Sequence, residues 1–380
     1  MKIVIAMDSF KGSASSLEAG TAVKKGIQLG MRHSQAIEIL PVADGGEGTV
    51  EAFITGTSGS IETAEVTGPF EKKVNARYGL LNNLAILEVA ETSGITLVKK
   101  ADLDPWQATS YGLGELLRKL IKTGHRHFLI GLGGSATNDG GLGMLQALGY
   151  RFLKKNGEAI PRSVCEIEHI ESVDDSLVPK ELADCHFTIA SDVTNPLWGK
   201  HGATAVYGPQ KGVRSADIAK FDALLQHFSA ITKEYLKQEF SQIAGAGAAG
   251  GLGFAILAYL NGKITPGFQL LAKEKHFEEK IEACDLVITG EGRLDAQSVM
   301  GKVPSSLAKI TQKYNKPLIV IAGSTSDDAY QCNDHGIDAF FSIIHRIGTE
   351  EELLQPAVTT ESIQQTAEQL FRFYQTMKAL

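Results

Sequence analysis

The sequence predicts an α/β fold of two domains, one with a mostly parallel sheet and the other inserted into it with a mixed sheet. Three observations carry this. At roughly 100–200 residues per domain, 380 residues make about two domains. Short apolar runs pass straight into polar, glycine-containing loops, several of them followed by a helical pattern, which is the alternation of a parallel sheet. Between residues 60 and 90 the texture changes to β-rich runs divided by turn residues.

The elements follow in order. Ile3–Ala6 leads into Asp8-Ser9-Phe10-Lys11-Gly12, and Ser15 with Glu18 then has capping-box spacing ahead of the apolar face Leu17, Val23, Ile27. Ile37–Leu40 leads into Asp44-Gly45-Gly46-Glu47-Gly48. Ile61–Val66, Lys73–Tyr78 and Leu84–Val89 read as a small antiparallel or mixed sheet. Phe128–Ile130 opens a glycine-rich loop, residues 131–141, ahead of a helical run from Leu142 to Leu148. Residues 217–240 and 252–260 are helical in pattern. Leu286–Ile288 leads into Gly290-Glu291-Gly292-Arg293, and Leu318–Ile321 into Gly323-Ser324-Thr325. The expected partition joins residues 1–65 to 281–380 around an inserted domain, 66–280, with the active site in the cleft between them. Loops beyond the carboxyl ends of parallel strands form the ligand crevice of such sheets.

Composition excludes several classes. Thirty-seven basic against 44 acidic residues leave a net charge of −7, which argues against a general nucleic-acid or anionic-membrane binder. No stretch approaches the ~18 apolar residues of a membrane span, and the apolar start breaks at Asp8, too early for a signal peptide. The four cysteines are scattered and form no C-x-x-C pair, so reduced thiols in a cytoplasmic protein are expected. Forty glycines with only 11 prolines point to tight ordered loops.

No Walker A motif, H-E-x-x-H or G-x-S-x-G is present. Two stretches resemble a dinucleotide fingerprint, Gly245-Ala-Gly247-Ala-Ala-Gly250 and Gly131-Leu-Gly133-Gly-Ser-Ala136. The first follows a helical pattern, and the second lacks the acidic residue that ribose binding needs. For 245–253, a cradle of backbone N–H groups for an anion is favoured over close packing. Acidic residues accompany these loops: Asp44 with Glu47, Asn138-Asp139, Asp192, and Glu291 with Asp295. Lys11, Lys211, Arg293 and Lys302 stand beside glycine in predicted loops. Glycine loops, carboxylates and isolated cations together fit phosphoryl transfer, which depends on positioning and charge neutralisation. A nicotinamide-dependent dehydrogenase and a non-catalytic sensor of small anions are the alternatives.

In order along the chain, these stretches resemble the class I bacterial glycerate kinases. They are Asp8-Ser-Phe-Lys11-Gly-Ser, Pro41-Val-Ala-Asp44-Gly-Gly-Glu47-Gly-Thr, Val66-Thr-Gly-Pro69, Gly131-Leu-Gly-Gly-Ser-Ala-Thr-Asn138-Asp139-Gly-Gly and Asp192-Val-Thr-Asn195-Pro196-Leu. Further on come Gly208-Pro-Gln-Lys211-Gly, Gly245-Ala-Gly-Ala-Ala-Gly-Gly251, Gly290-Glu291-Gly-Arg293-Leu-Asp295-Ala-Gln297-Ser and Gly301-Lys302-Val-Pro304. Ser191, Thr109-Ser110-Tyr111 and Ser305-Ser306 depart from the family pattern. The resemblance implies a flavodoxin/Rossmann-like domain beside an inserted α/β domain. It also implies phosphorylation of D-glycerate by ATP with Mg²⁺ to 2-phosphoglycerate, with 3-phosphoglycerate the other chemical option. No nucleic-acid or membrane partner is expected, and a homodimer is compatible with it.

On that resemblance, Asp192 or Asp295 takes the hydroxyl proton, with Lys11 in the same catalytic set. Arg293 holds the glycerate carboxylate, with Lys11 as second choice, because a guanidinium grips a carboxylate bidentately. Ser135, Asn138 and Asp139 are assigned to the substrate. Gly245, Gly247, Gly250, Gly251 and Lys211 are assigned to the ATP phosphates, and Asp44, Glu47 and Glu291 to Mg²⁺.

Overall fold

A computed structural model describes residues 1–299 and 302–379. The strands in chain order are β1 (Lys2–Met7), β2 (Ala36–Ile39), β3 (Ser60–Thr67), β4 (Lys73–Leu81), β5 (Leu84–Glu88), β6 (His127–Gly131) and β7 (Arg151–Leu153). They continue with β8 (Ser172–Asp174), β9 (His186–Ala190), β10 (Lys263–Thr265), β11 (Leu286–Leu294), β12 (Leu318–Thr325) and β13 (Ala339–Ser342).

The chain divides into two compact units, residues 1–44, 51–55 and 268–380, and residues 45–50 and 56–267. The bounds differ from those expected for a physical reason. β3 pairs along its whole length with β4, which draws 60–67 into the inserted unit. The helices Gly267–Glu274 and Phe277–Glu282, expected in the insert, fall almost entirely in the first unit, where Lys275 Nζ reaches the Thr55 carbonyl at 2.5 Å.

The first unit has a five-stranded sheet, β13-β12-β11-β1-β2, with every pairing parallel. From β1 the chain crosses to β2 on one side. After the insertion it returns as β11 on the other side and continues outward. β1 and β11 therefore flank the point where the winding reverses, the usual ligand position in such sheets. The helix Ser16–Gly30 starts as its sequence predicts: Ser15 accepts from Glu18 N–H, and the Glu18 carboxylate accepts from Ser15 N–H at 2.8 Å. Ser16 Oγ ties it to the sheet, donating to the Met7 carbonyl (2.6 Å) and accepting from Val42 N–H (2.9 Å). The helix packs against Pro356–Lys378 so closely that a methyl group on Gly26 would overlap the Gln364 carbonyl. Ile3, Ile5, Met7, Val23, Ile27, Ile288, Ile321 and Phe371 form the core beneath.

The second unit has a six-stranded mixed sheet, β10-β9-β6-β5-β4-β3, parallel from β10 to β5 and antiparallel from β5 to β3. The antiparallel half is the β-rich stretch singled out in the sequence. The patterns read at 217–240 and 252–260 become the helices Ile218–Leu236 and Leu252–Tyr259.

Candidate active site

At the carboxyl ends of β2, β1 and β11 the first unit gathers three carboxylates. Asp8 follows β1 directly, its N–H bonded to the Gly290 carbonyl (2.9 Å) and its Oδ1 accepting from Ser9 N–H (2.7 Å). Burial raises the Asp8 pKa, and Asp44 and Glu291 raise it further. Ser9 N–H and Lys11 oppose them, and the balance stands at about 7. Glu291, on β11, is 7% exposed and is also pushed upward, chiefly by burial, while Ser298 and Lys302 pull it down. Its Oε1 has no hydrogen-bond partner among the described residues. Lys302 Nζ stands 3.6 Å from Glu291 Oε2 and 3.9 Å from Asp295 Oδ1. Lys11 and Arg293 are exposed on the loops after β1 and near the end of β11. Acids and the exposed cations Lys11 and Arg293 thus share the carboxyl-terminal edge of this sheet.

In the second unit, by contrast, the polar groups are largely consumed by the protein. Lys211, 2% exposed, donates to Ser135 Oγ and to the Thr137 carbonyl, both at 2.7 Å. Burial lowers its pKa to about 7, against the pull of Asp139. Asp139, also 2% exposed, accepts from four donors: Ser110 N–H (2.9 Å), Ser110 Oγ (2.7 Å), Gly141 N–H (3.0 Å) and Gly143 N–H (3.2 Å). It thereby ties the start of the helix Tyr111–Lys122 to that of Leu142–Leu148. Asn138 Nδ2 donates to Thr204 Oγ1 (2.9 Å), while Asn138 Oδ1 and Thr137 Oγ1 are buried without a partner among the described residues. Glu88, at the end of β5, accepts from Val50 N–H (2.6 Å) and Gly48 N–H (3.1 Å) and so holds the loop that carries Glu47. Gly45 in that loop lies against the Ala190 carbonyl, because a Cβ there would overlap it and stand 3.1 Å from Ser191 N. The exposed side chains Glu47 and Asp192 are thus carried on abutting loops.

The chain matches the glycerate kinase family over residues 3–375. It belongs to that family. Glycerate 2-kinase of Escherichia coli K12 is 44% identical over 359 residues, covering 94% of each chain. A glycerate kinase of Halalkalibacterium halodurans is 42% identical over 355 residues, 93% of each. A crystal structure from Salmonella typhimurium LT2, assigned to glycerate kinase 2, superposes with a TM-score of 0.84 at 43% identity over the whole of both chains.

Within this member of the glycerate kinase family, the residues singled out in the sequence are placed as follows. The segment 245–253 packs closely against neighbouring backbone. A Cβ on Gly247 would overlap the Pro196 carbonyl, one on Gly250 the Thr137 carbonyl, and one on Gly251 would come within 2.7 Å of Gly140 Cα. Gly247 N–H is bonded to the Asn195 carbonyl (2.9 Å), and Gly245 packs on Ile264. These glycines permit close backbone approach. Lys211 and Asp139 both make their hydrogen bonds to protein groups. Ser135 is bonded to Lys211, and Asn138 to Thr204.

Among the described residues no three His, Cys, Asp or Glu side chains stand at ion-holding distances from one another; of the acids expected at Mg²⁺, Asp44 and Glu291 are in the first unit and Glu47 is in the second. Gly301, part of the family-like stretch around Lys302, lies outside the described residues. Two residues that sequence reasoning did not assign stand out. Asp8 had a visible signal, a carboxylate ending an apolar strand. Glu88 had the same signal at the end of β5. No helix among the described residues is long and apolar enough to cross a membrane.

Proposed function

We propose that this protein transfers the γ-phosphoryl group of ATP to the 2-hydroxyl of D-glycerate, giving 2-phosphoglycerate and ADP. The observation that carries the reading is the set of charged groups at the reversal point of the parallel sheet. It pairs the buried Glu291 and the half-buried Asp8 and Asp44 with the exposed cations Arg293 and Lys11, a combination suited to a small hydroxy acid. The Arg293 guanidinium takes the glycerate carboxylate in a two-pronged hydrogen bond, and Lys11 adds charge. The buried acids then face the hydroxyl end, where a proton must leave.

Mg²⁺ fits this chain in kind. It is commonly held by one or two carboxylates and completed by phosphate oxygens and water, which asks for no cage of protein ligands. Glu47 and Asp192, exposed on abutting loops, are the pair that would hold it. When bound, the ion neutralises charge on the transferring phosphoryl group. Glu88 keeps Glu47 in place through the bonds to Gly48 and Val50.

An ADP-release assay with D-glycerate, with and without Mg²⁺, tests the proposal, and phosphorus NMR of the product reads the position of transfer. Release that requires both glycerate and Mg²⁺, with a 2-phosphoglycerate signal, is expected. Glycerate-dependent reduction of a nicotinamide, or binding without turnover, would sink it.

A further inference from the structure

Resting on the Mg²⁺ pair of this kinase reading, we propose that Gly133 and Thr49 are positioning residues. Together they clamp the Gly46 peptide and so set Glu47 against Asp192. All of these groups lie in the second unit.

Glu47 is flanked by Gly45, Gly46 and Gly48, a stretch whose backbone would lose much freedom on grasping an ion. The structure removes that freedom beforehand, because the loop is held from outside along its length. Gly45 lies on the Ala190 carbonyl, next to the loop that carries Asp192. Gly48 N–H and Val50 N–H are bonded to Glu88. Between these anchors Gly46 is gripped twice. Its carbonyl accepts from Thr49 Oγ1 at 2.7 Å, and Thr49 is itself buried. Its Cα rests on Gly133, where an added methyl group would overlap it, and Gly133 N–H donates to the Gly45 carbonyl at 3.1 Å.

Gly133 is distinguished from its neighbour by why it lacks a side chain. Gly134 has a left-handed backbone, φ +74°, and the one atom within 4 Å of an added Cβ is Ala90 Cβ at 3.3 Å. Gly133 has no such backbone, so what a side chain there meets is the Gly46 peptide. The platform behind Gly133 is firm. Gly134 carbonyl accepts from Ile95 N–H and Ala136 N–H donates to the Ser93 carbonyl, both at 2.8 Å. The buried Lys211 binds Ser135 Oγ and the Thr137 carbonyl, which gives that cation a part in the same support. Residues 135–140 are buried, whereas Glu47 is exposed with Gly46 and Gly48 half-buried. A methyl group at position 133 therefore displaces the loop of Glu47. Mg²⁺ tolerates little departure from its preferred geometry, and Ca²⁺ tolerates more. A displaced carboxylate should thus weaken Mg²⁺ more than Ca²⁺.

The test reads metal binding on the full chain without nucleotide. Water-proton relaxation follows bound Mn²⁺, and Mg²⁺ and Ca²⁺ are measured by competition. Glu47→Gln and Asp192→Asn are expected to abolish the Mn²⁺ signal. Gly133→Ala should weaken Mn²⁺ and Mg²⁺ by about 10-fold, and Ca²⁺ by about threefold. Thr49→Val should weaken Mg²⁺ by about threefold or more, with Thr49→Ser restoring it. Gly134→Ala, strained but clear of Gly46, should bind within about twofold of the parent. In ADP release, Gly133→Ala should need about 10-fold more Mg²⁺ for half its maximal rate, with kcat at saturating Mg²⁺ and KM for D-glycerate within about threefold. A merely structural loss would lower kcat and leave the Mg²⁺ requirement where it was. Should Gly133→Ala fail to fold, Thr49→Val against Thr49→Ser decides.

Parent-like binding of Mn²⁺ by the folded Gly133→Ala or Thr49→Val variant overturns the clamp and leaves the metal pair standing. Equal weakening in Gly134→Ala does the same. Mn²⁺ retained in both Glu47→Gln and Asp192→Asn overturns the pair, and the clamp with it.

Discussion

Asp8 in the first unit and Asp139 in the second occupy comparable places, each in a loop that follows a parallel strand. Their surroundings are opposite. Asp139 accepts from four protein donors and joins two helix starts, whereas Asp8 accepts from Ser9 N–H and is pressed by Asp44 and Glu291. The cations differ in the same sense. Lys211 is buried and bonded to Ser135 and Thr137, while Lys11 and Arg293 reach solvent. A charged group whose bonding capacity is filled by the fold is scaffold. One left against like charges, with capacity unspent, is placed for an outside molecule.

The largest expected effect tests that contrast directly. Asp139→Ala strands three backbone N–H groups and a hydroxyl in a buried setting, at roughly 1 kcal/mol or more each. The loss of stability is expected to be about 4 kcal/mol by urea unfolding. Asp8→Asn removes a charge that its neighbours oppose, so at pH 8 its unfolding midpoint should equal or exceed that of the parent. If Asp8→Asn cost as much as Asp139→Ala, the distinction between the two carboxylates would collapse.

The same contrast explains what could be read from the sequence. The Ser15–Glu18 capping box, the strand runs and the antiparallel half of the second sheet are local patterns, and local patterns survive into the fold. The role of 245–253 does not reside in its own residues. A run of small residues suits an anion or a close backbone approach equally well, and the approach to Thr137, Gly140 and Pro196 comes from other loops that the local sequence does not reveal. Asp139 reads as a ligand-facing acid until Ser110, from a separate helix start, is seen to fill it. Asp8 was passed over for the converse reason, since Asp44 and Glu291 reach it from distant stretches of chain. The domain bounds drifted because the edge strand β3 pairs forward in sequence with β4.

Glycines sharpen the comparison at the level of the backbone. Gly250 has φ +68°, and a Cβ there would overlap the Thr137 carbonyl and stand 2.7 Å from Asn138 Cα. Gly12, in the loop after β1, has φ +81°, with nothing within 4 Å of the same added atom. Both alanine variants incur left-handed strain of about 1 kcal/mol, and only Gly250→Ala must also push backbone apart. Its total cost is expected near 3 kcal/mol against about 1 for Gly12→Ala, read from paired denaturant midpoints. Equal costs would mean that the second unit's loop is as open as the first's.

The smallest effect asks on which side of the divide Glu88 falls. It accepts two backbone N–H bonds, as a scaffold residue should, yet burial outweighs them and raises its pKa from 4.5 to about 7. The folded state therefore holds a proton that the unfolded chain has released between those values. Glu88's contribution to stability is greatest below about pH 4.5 and declines as pH rises to about 7. Glu88→Gln keeps one acceptor and loses the titration, so its deficit, about 1 kcal/mol at pH 5, should shrink by pH 7.5 when thermal unfolding is compared at the two values. A deficit that widened with pH would show the charged form to be the favoured one, and Glu88 would then stand with Asp139 as a fully satisfied buried acid.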